Sequence, residues 1–137
     1  MGPARLPGRM TLAAYVLFLV AGGLAACVEA PPPAEPSNAV LYVSNQSFDQ
    51  PVAEITVWID GDVAYANDQP VEDQHRWDTT DLPLAPGVHQ LRAWEAKEGV
   101  SSSTEFRIPD DVHMLVQYWT DPPRFSVDFS DQQFMFD

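Results

Sequence analysis

Histidine and carboxylate side chains are the groups of this 137-residue sequence that could bind a metal ion or exchange protons. The histidines are His75, His89 and His113, and none of the spacings HxH, HxxxH or HExxH joins them. A zinc or copper site needs three or four convergent ligands, and such spacings would supply two of them. Neither Asp60-Gly61-Asp62 nor Asn67-Asp68 begins a run with the ligand spacing of an EF-hand calcium loop. We therefore expect no metal site and no cofactor.

Patterns of catalytic residues are also absent from the sequence. It has no GxSxG motif, no glycine-rich phosphate loop and only one cysteine. Ser101-Ser102-Ser103 has no lysine or histidine at a spacing that would activate a nucleophile. The adjacent carboxylates Asp110-Asp111 would point to opposite faces of an extended chain, whereas acid/base catalysis on a glycoside needs two carboxyl groups that converge. We predict that the protein is not an enzyme.

The single cysteine, Cys27, follows a segment with the organisation of an export signal. Arg5 and Arg9 form a positively charged start without any acid, and residues 11–21 are an apolar run of signal-peptide length. Small residues then precede the cysteine, and Leu24-Ala25-Ala26-Cys27 resembles the lipobox of bacterial lipoproteins. That resemblance covers four consecutive positions at the expected distance from the apolar run.

The lipobox resemblance implies that Cys27 is diacylated and that residues 1–26 are removed. An odd cysteine in an exported chain needs an explanation, and acylation provides one while leaving no thiol for a disulfide. The alternative is a single transmembrane anchor, but residues 10–26 are barely long enough to cross a bilayer and contain two glycines.

Residues 27–38 are predicted to tether the lipidated cysteine to a folded domain at 39–137. Residues 28–38 hold four prolines and no apolar periodicity, which favours an extended spacer over a proline-motif ligand. In lipoproteins generally, a residue such as Val28 rather than Asp after the cysteine implies delivery to the outer membrane, provided that the host has two membranes.

Charge excludes two kinds of anionic partner. All 20 acidic residues and five of the seven basic residues follow Cys27, which leaves a net charge of −15 in that part of the chain. Binding of nucleic acid or of anionic lipid headgroups needs clustered lysine and arginine. We expect neither, so the only membrane contact predicted is the lipid anchor.

Alternation of apolar and polar residues predicts an all-β domain. Turn signals such as Asp60-Gly61 and Pro86-Gly87 separate the alternating runs, and no window after Cys27 shows a helical period. About seven short strands with this punctuation are typical of an immunoglobulin-like β-sandwich. Residues 112–119 are apolar on both parities, which predicts a central strand, and the polar residues 67–82 are predicted to form the longest loop. The alternating positions are Ile55, Val57 and Ile59; His89, Leu91 and Ala93; Thr104, Phe106 and Ile108; and Phe125, Val127 and Phe129.

The first turn leaves two registers open. A two-residue turn at Asp60-Gly61 would place Asp62 opposite the apolar Ile59. A three-residue loop at 60–62 would place Val63 there instead, and we favour it because it buries apolar residues on both strands. The pairs that this loop predicts are Ile59–Val63 and Val57–Tyr65.

Two segments resemble PEGA-type and related carboxypeptidase-regulatory-like β-sandwich modules. They are Val57-Trp58-Ile59-Asp60-Gly61, a strand that ends in a DG turn, and residues 84–93, which match the pattern L-x-P-G-x-H-x-L. The resemblance implies a β-sandwich in which His89, Leu91 and Ala93 point into the core. From the residues alone, His89 is expected to be a hydrogen-bonded histidine of the core. Such modules are typically envelope appendages without catalytic residues.

Tryptophans are the candidate binding residues. Trp58, Trp94 and Trp119 fall on the polar parity of their strands and are expected to face outward. Exposed tryptophans form binding platforms for sugars or proteins, and we select Trp58 and Trp94 as the possible platform. The alternative is that each ring lies under an arginine or a loop and only closes the sandwich.

These patterns together predict a lipid-anchored, non-catalytic protein of the cell envelope. Its expected role is to bind a partner protein or to serve an envelope assembly. The alternative is a carbohydrate-binding lipoprotein that uses the outward tryptophans to hold a glycan.

Overall fold

The computed structural model describes residues 30–32, 35–71 and 77–135. The chain divides into two compact units, Met1–Pro31 and Pro32–Asp137, and the fold below is that of the second. Several predicted features lie outside the described residues. They are the signal peptide, residues 27–29 and 33–34 of the tether, which include Cys27, and His75. Within those ranges, no helix is long and apolar enough to cross a membrane.

The described residues form eight β-strands, so the prediction of an all-β domain of about seven strands is confirmed. β1 begins two residues before the predicted domain boundary at 39. The strands are β1 (Ser37–Asn45), β2 (Val52–Ile59), β3 (Asp62–Pro70), β4 (Asp78–Leu84), β5 (Gly87–Glu95), β6 (Val100–Ile108), β7 (His113–Trp119) and β8 (Arg124–Ser130).

Two four-stranded sheets make up the sandwich. The β1 sheet has the order β4-β1-β7-β8, and the β2 sheet has the order β3-β2-β5-β6. All strand pairs are antiparallel except β1 with β7, which are parallel. β7 lies between two strands, as its apolar sequence predicted. Each sheet turns one side towards the shared core.

The core lies where the alternating residues of both sheets meet. Burial of each large apolar side chain contributes roughly 1.5–3 kcal/mol to folding, before the entropy of ordering the chain is counted. The predicted inward residues Ile55, Val57, Leu91 and Ala93 are fully buried, whereas their neighbours along the strands are not. The opposite sheet supplies Leu41, Val43, Met114, Val116 and Tyr118.

The β2–β3 turn differs from the favoured register. The turn has two residues, and Asp62 is paired with Ile59. Asp60 and Gly61 both have positive φ, 51° and 85°, as a type I′ turn requires. Asp62 lies at the end of the sheet, where its side chain is exposed rather than buried against the core.

A β-bulge then corrects the register for the rest of the strand. Val63 pairs with Trp58 and Tyr65 pairs with Val57, so Ala64 is an extra residue in β3. The pairing Ile59–Val63 was therefore wrong and Val57–Tyr65 was right. The bulge lets a tight turn and a buried Tyr65 coexist, since it shifts the side-chain parity by one residue.

The prediction of one long loop over residues 67–82 was also wrong. Residues 67–70 continue β3, and residues 78–82 belong to β4, which pairs with β1 along its whole length. Polar residues are accommodated here because they bond to each other: the Tyr65 hydroxyl donates to Asp78 Oδ2 at 2.9 Å. Both strands lie at sheet edges, where backbone pairing requires little apolar surface.

Candidate binding surface

The outward side of the β2 sheet brings the two predicted platform residues together. Trp58 is paired with Arg92 across β2 and β5. Two residues further along the same strands, Thr56 is paired with Trp94. The tryptophans are therefore diagonal neighbours on one face. We call the central two rows of this surface the Trp58 face. Its residues are Val63, Trp58, Arg92 and Ser103 in one row, and Ala66, Thr56, Trp94 and Ser101 in the next.

Arg92 lies over the ring of Trp58. Its guanidinium carbon is 5.1 Å from the ring centroid, within the range of a cation–π interaction. Trp58 and Trp94 are both half-buried, whereas Arg92 is exposed and Val63 is 61% exposed. The alternative foreseen for the tryptophans, an arginine covering the ring, thus applies to one side of Trp58.

An open groove lies beside this stacked pair. It is lined by Trp58, Gly61, Gln90, Arg92 and Ser103, and its volume is about 260 Å³. That volume is slightly below the range of pockets that enclose drug-sized ligands. The groove therefore suits one side chain or one small group of a larger ligand rather than a whole cofactor.

Charge is distributed unevenly over this side of the sheet. None of the eight residues of the Trp58 face is acidic, although the chain has 20 acidic residues and only seven basic ones. Exposed carboxylates lie around it instead, with Glu54 paired to Asp68 at one end and Glu105 paired to Gln90 at the other. A centre depleted of acidic residues inside a polar rim is the usual composition of a protein interface.

The Asp60-Gly61 turn forms one wall of the groove and is held by His89. Asp60 Oδ1 accepts a 2.9 Å bond from the Gln90 backbone N–H, and Oδ2 lies 2.6 Å from His89 Nδ1. His89 Nε2 lies 2.6 Å from the carbonyl oxygen of Ala85. Both ring nitrogens therefore face acceptors and donate, which is the protonation state of a charged imidazole.

Electrostatics agree with that geometry. The hydrogen bond to Asp60, followed by that to the Ala85 carbonyl, raises the pKa of His89 above its ordinary value, although burial opposes this. The same bond from His89 lowers the pKa of Asp60. His89 is on the inward parity, as expected, but lies at the end of the sheet, half-buried and stacked on Phe106 at 5.5 Å.

Trp119, the third outward tryptophan, belongs to a different surface. It lies on β7 of the β1 sheet, where Arg124 of β8 is opposite it and 5.6 Å from its ring centroid. It repeats the arginine-over-tryptophan contact, but it does not join the Trp58 face.

His113 lies in an aromatic cluster that the sequence analysis did not foresee. Its Nδ1 is 3.1 Å from the hydroxyl of Tyr42, whose ring meets Trp77 and Phe134 edge to face at 5.4 and 5.6 Å. Trp77 and Phe134 thus cover Tyr42 on the outward side of the β1 sheet. The signal was the run Val40-Leu41-Tyr42-Val43, which is apolar on both parities and therefore needs cover on both faces.

A buried carboxylate was also missed. Glu95 is fully buried and accepts hydrogen bonds from Gln50 Nε2 at 2.6 Å and from the backbone N–H groups of Lys97 and Glu98 at 3.1 and 2.8 Å. The Tyr118 hydroxyl donates to Gln50 Oε1, and burial, with Glu95 nearby, raises the pKa of Tyr118 to about 12. Glu95 continues the inward parity of Leu91 and could have been found on that basis. Its bonds hold two loops to the sandwich end.

Among residues 30–32, 35–71 and 77–135, no group of three or more His, Cys, Asp or Glu side chains is placed to hold an ion. The acidic residues of the described part are dispersed over strands and turns.

Comparison with known proteins identifies no family. No protein-family model matches the chain, and no curated protein matches it. One solved structure that matches is a non-hemolytic pneumolysin from Streptococcus pneumoniae strain ST306, at 18% identity and a TM-score of 0.36. The match covers 71% of this chain and 24% of that one, so the chain spans about a quarter of the length of the structure it matches. A likeness of this level supports no functional statement.

Proposed function

We propose that this chain is a lipid-anchored, non-catalytic protein of the cell envelope that binds a partner protein through the Trp58 face. The observation that supports this most directly is the composition of that face, in which two tryptophans and an arginine occupy the centre and the carboxylates lie around it. Tryptophan and arginine are the residues most enriched at the energetic centres of protein interfaces. The half-buried rings offer a partner apolar area at little cost in side-chain entropy.

The anchor is supported by the sequence alone. Leu24-Ala25-Ala26-Cys27 after the apolar run 11–21 resembles a lipobox, and the proline-rich segment 28–36 would separate the lipid from β1. The resemblance to PEGA-type modules supports a non-catalytic role. Delivery to the outer membrane follows only for a host with two membranes.

A carbohydrate ligand is the second candidate, and the polar lining of the groove favours it. Gln90, Arg92 and Ser103 could all bond to sugar hydroxyls beside an aromatic ring. However, sugar stacking needs an open ring face, and Arg92 already covers one face of Trp58. We therefore place the protein partner first.

Photo-crosslinking tests the proposal. Ser103 lies in the Trp58 face, and Thr79 is an exposed residue on the outward side of the other sheet. Each is replaced, in the full chain in its native cells, by a photoreactive phenylalanine. We expect a discrete protein adduct from position 103 that is lost when Trp58 and Trp94 are both changed to Ala, and no such adduct from position 79. Equal adducts from both positions, no adduct at 103, or an adduct that proteases do not degrade would reject the protein-binding role.

A further inference from the structure

Arg92 is an exposed cation without an anionic partner among the residues that the structure describes. Among the described residues, the only ion pair joins His89 to Asp60, and no carboxylate lies within 4.0 Å of the Arg92 guanidinium. Its contact in the fold is the ring of Trp58, whose centroid lies 5.1 Å from the guanidinium carbon. A guanidinium above an aromatic ring can still use its N–H donors to bind a ligand.

Further donors surround the same groove. Ser103 is paired with Arg92 across β5 and β6, and its hydroxyl lines the groove together with the amide of Gln90. The nearest turn carries the Asp60 carboxylate, but both of its oxygens already accept hydrogen bonds, from Gln90 N–H and from His89. The groove therefore presents a cation and neutral donors, and the carboxylate of that turn is engaged by His89 and the Gln90 N–H.

We infer that the groove at Arg92 binds a carboxylate of the partner protein, supplied by an Asp or Glu side chain. The planar fork of the guanidinium matches a carboxylate in bidentate geometry, and Ser103 and Gln90 can complete its hydrogen bonding. Since the inference assigns the partner chemistry of the Trp58 face, it rests on the proposed function.

The surroundings of the groove define the partner more closely. Glu54 and Asp68 lie at one end of the central rows, and Glu105 lies at the other end next to Arg107, so a partner gains from cations placed opposite the three carboxylates. The surface that fits is a carboxylate flanked by apolar side chains and then by lysine or arginine.

Two short peptides that differ only in carrying Asp or Asn test this inference. The blocked peptides Lys-Leu-Asp-Leu and Lys-Leu-Asn-Leu are titrated into the isotope-labelled full chain in detergent micelles, and the resonances of the Trp58 indole N–H and the Arg92 Nε–H are followed. We expect both resonances to shift and the Asp peptide to bind about fivefold more tightly, as an exposed charge-assisted contact gives. Arg92→Gln removes the preference for Asp. Arg124→Gln is the matched control, since Arg124 stacks on Trp119 in the other sheet, and it retains the preference.

Three results would overturn the inference: equal affinity for the two peptides, a preference that survives Arg92→Gln, or larger shifts with glucuronate than with the Asp peptide. The third would assign the groove to an acidic glycan. Failure of the proposed function is distinguishable from these. A Ser103 adduct that persists in Arg92→Gln cells keeps the protein-binding role and removes Arg92 from it, whereas a peptide preference without any adduct keeps the carboxylate site and rejects the protein-binding role.

Discussion

His89 Nδ1 and Asp60 Oδ2 lie 2.6 Å apart and join the start of β5 to the turn between β2 and β3. The pair is 29 residues apart in the chain, so the contact closes a long segment at one end of the β2 sheet. Because the turn also forms a wall of the groove beside Trp58, the pair couples the stability of that end to the shape of the binding surface.

Stability should depend on pH through this pair. The raised pKa of His89 gives stabilisation that is complete below its ordinary value of 6.5 and is lost as pH rises through the higher folded value. The lowered pKa of Asp60 gives stabilisation that is complete above 3.8 and is lost as pH falls through the lower folded value. We expect the contribution of the pair to be greatest between these two values.

Urea unfolding at pH 5.5 and pH 8.5 measures this effect. The urea midpoint of the wild-type chain should be lower at pH 8.5 than at pH 5.5. This decrease should be smaller in His89→Gln and in Asp60→Asn, since either change removes the pair. Equal decreases in all three proteins would show that other groups cause the dependence.

Replacement of both Trp58 and Trp94 by Ala should cost little stability. Each ring is half-buried on an outward face, so we expect about 1 kcal/mol for each, compared with 3–5 kcal/mol for a buried tryptophan. Loss of the rings should weaken partner binding by roughly 1–3 kcal/mol per ring. Leu91→Ala is the control, since that side chain is fully buried and its removal should cost about 2–5 kcal/mol. A double tryptophan variant as unstable as Leu91→Ala would mean that the rings belong to the core.

The sequence predicted the parts of the fold that depend on period-two burial. Ile55, Val57 and Leu91 alternate with polar residues, and the structure buries each of them completely. The same alternation predicted the outward positions of Trp58 and Trp94, which is all that a single-strand pattern can provide. That Arg92 is opposite Trp58 depends on strand pairing, and no local pattern encodes it.

Errors arose where polar groups satisfy each other across the fold. The acidic segment 67–82 looked like a loop because its stabilising contacts, such as Tyr65 with Asp78, join residues of two sheets. The turn at Asp60 was misread because burial of Tyr65 was attributed to a longer loop rather than to an extra residue at Ala64. Both errors concern contacts and strand pairings between residues that are separated in the sequence, and the periodicity of a single strand carries no information about them.

Glu95 should be a major stabilising residue in spite of its charge. Glu95→Ala leaves the buried amide of Gln50 and the part-buried N–H groups of Lys97 and Glu98 without their acceptor, and an unsatisfied buried group costs about 1–3 kcal/mol. We expect a loss of about 3 kcal/mol or more in unfolding free energy, and a smaller loss for Glu95→Gln, which keeps one acceptor oxygen. Glu54→Ala, an exposed change, should stay within about 0.5 kcal/mol. A similar small effect for Glu95→Ala would show that water replaces these bonds.

Deletion of Ala64 should be tolerated. Without this residue, Val63 still pairs with Trp58 and Tyr65 still pairs with Val57, so the hairpin becomes regular and no inward side chain changes face. Deletion of Ala66 instead moves Gln69 from the inward to the outward parity. It also disrupts the hydrogen bond from Asn45 Nδ2 to the Gln69 carbonyl oxygen. Thermal unfolding should show a shift of a few degrees for the first deletion and a far larger one for the second. The reverse order would place the bulge elsewhere in β3.

Replacement of Cys27 by Ser should abolish lipidation, because only a thiol accepts the thioether-linked diacylglycerol. The motivating pattern is Leu24-Ala25-Ala26-Cys27 after the apolar run 11–21. Each buried acyl CH₂ contributes about 0.8 kcal/mol to membrane binding, so two or three chains hold the protein firmly and their loss releases it. Cells grown with radiolabelled palmitate should label the wild-type chain and a Ser37→Ala control. The Cys27→Ser protein should stay unlabelled and should no longer be bound to the membrane through acyl chains. Palmitate on the Cys27→Ser protein would place the lipid on another residue and end the lipobox interpretation.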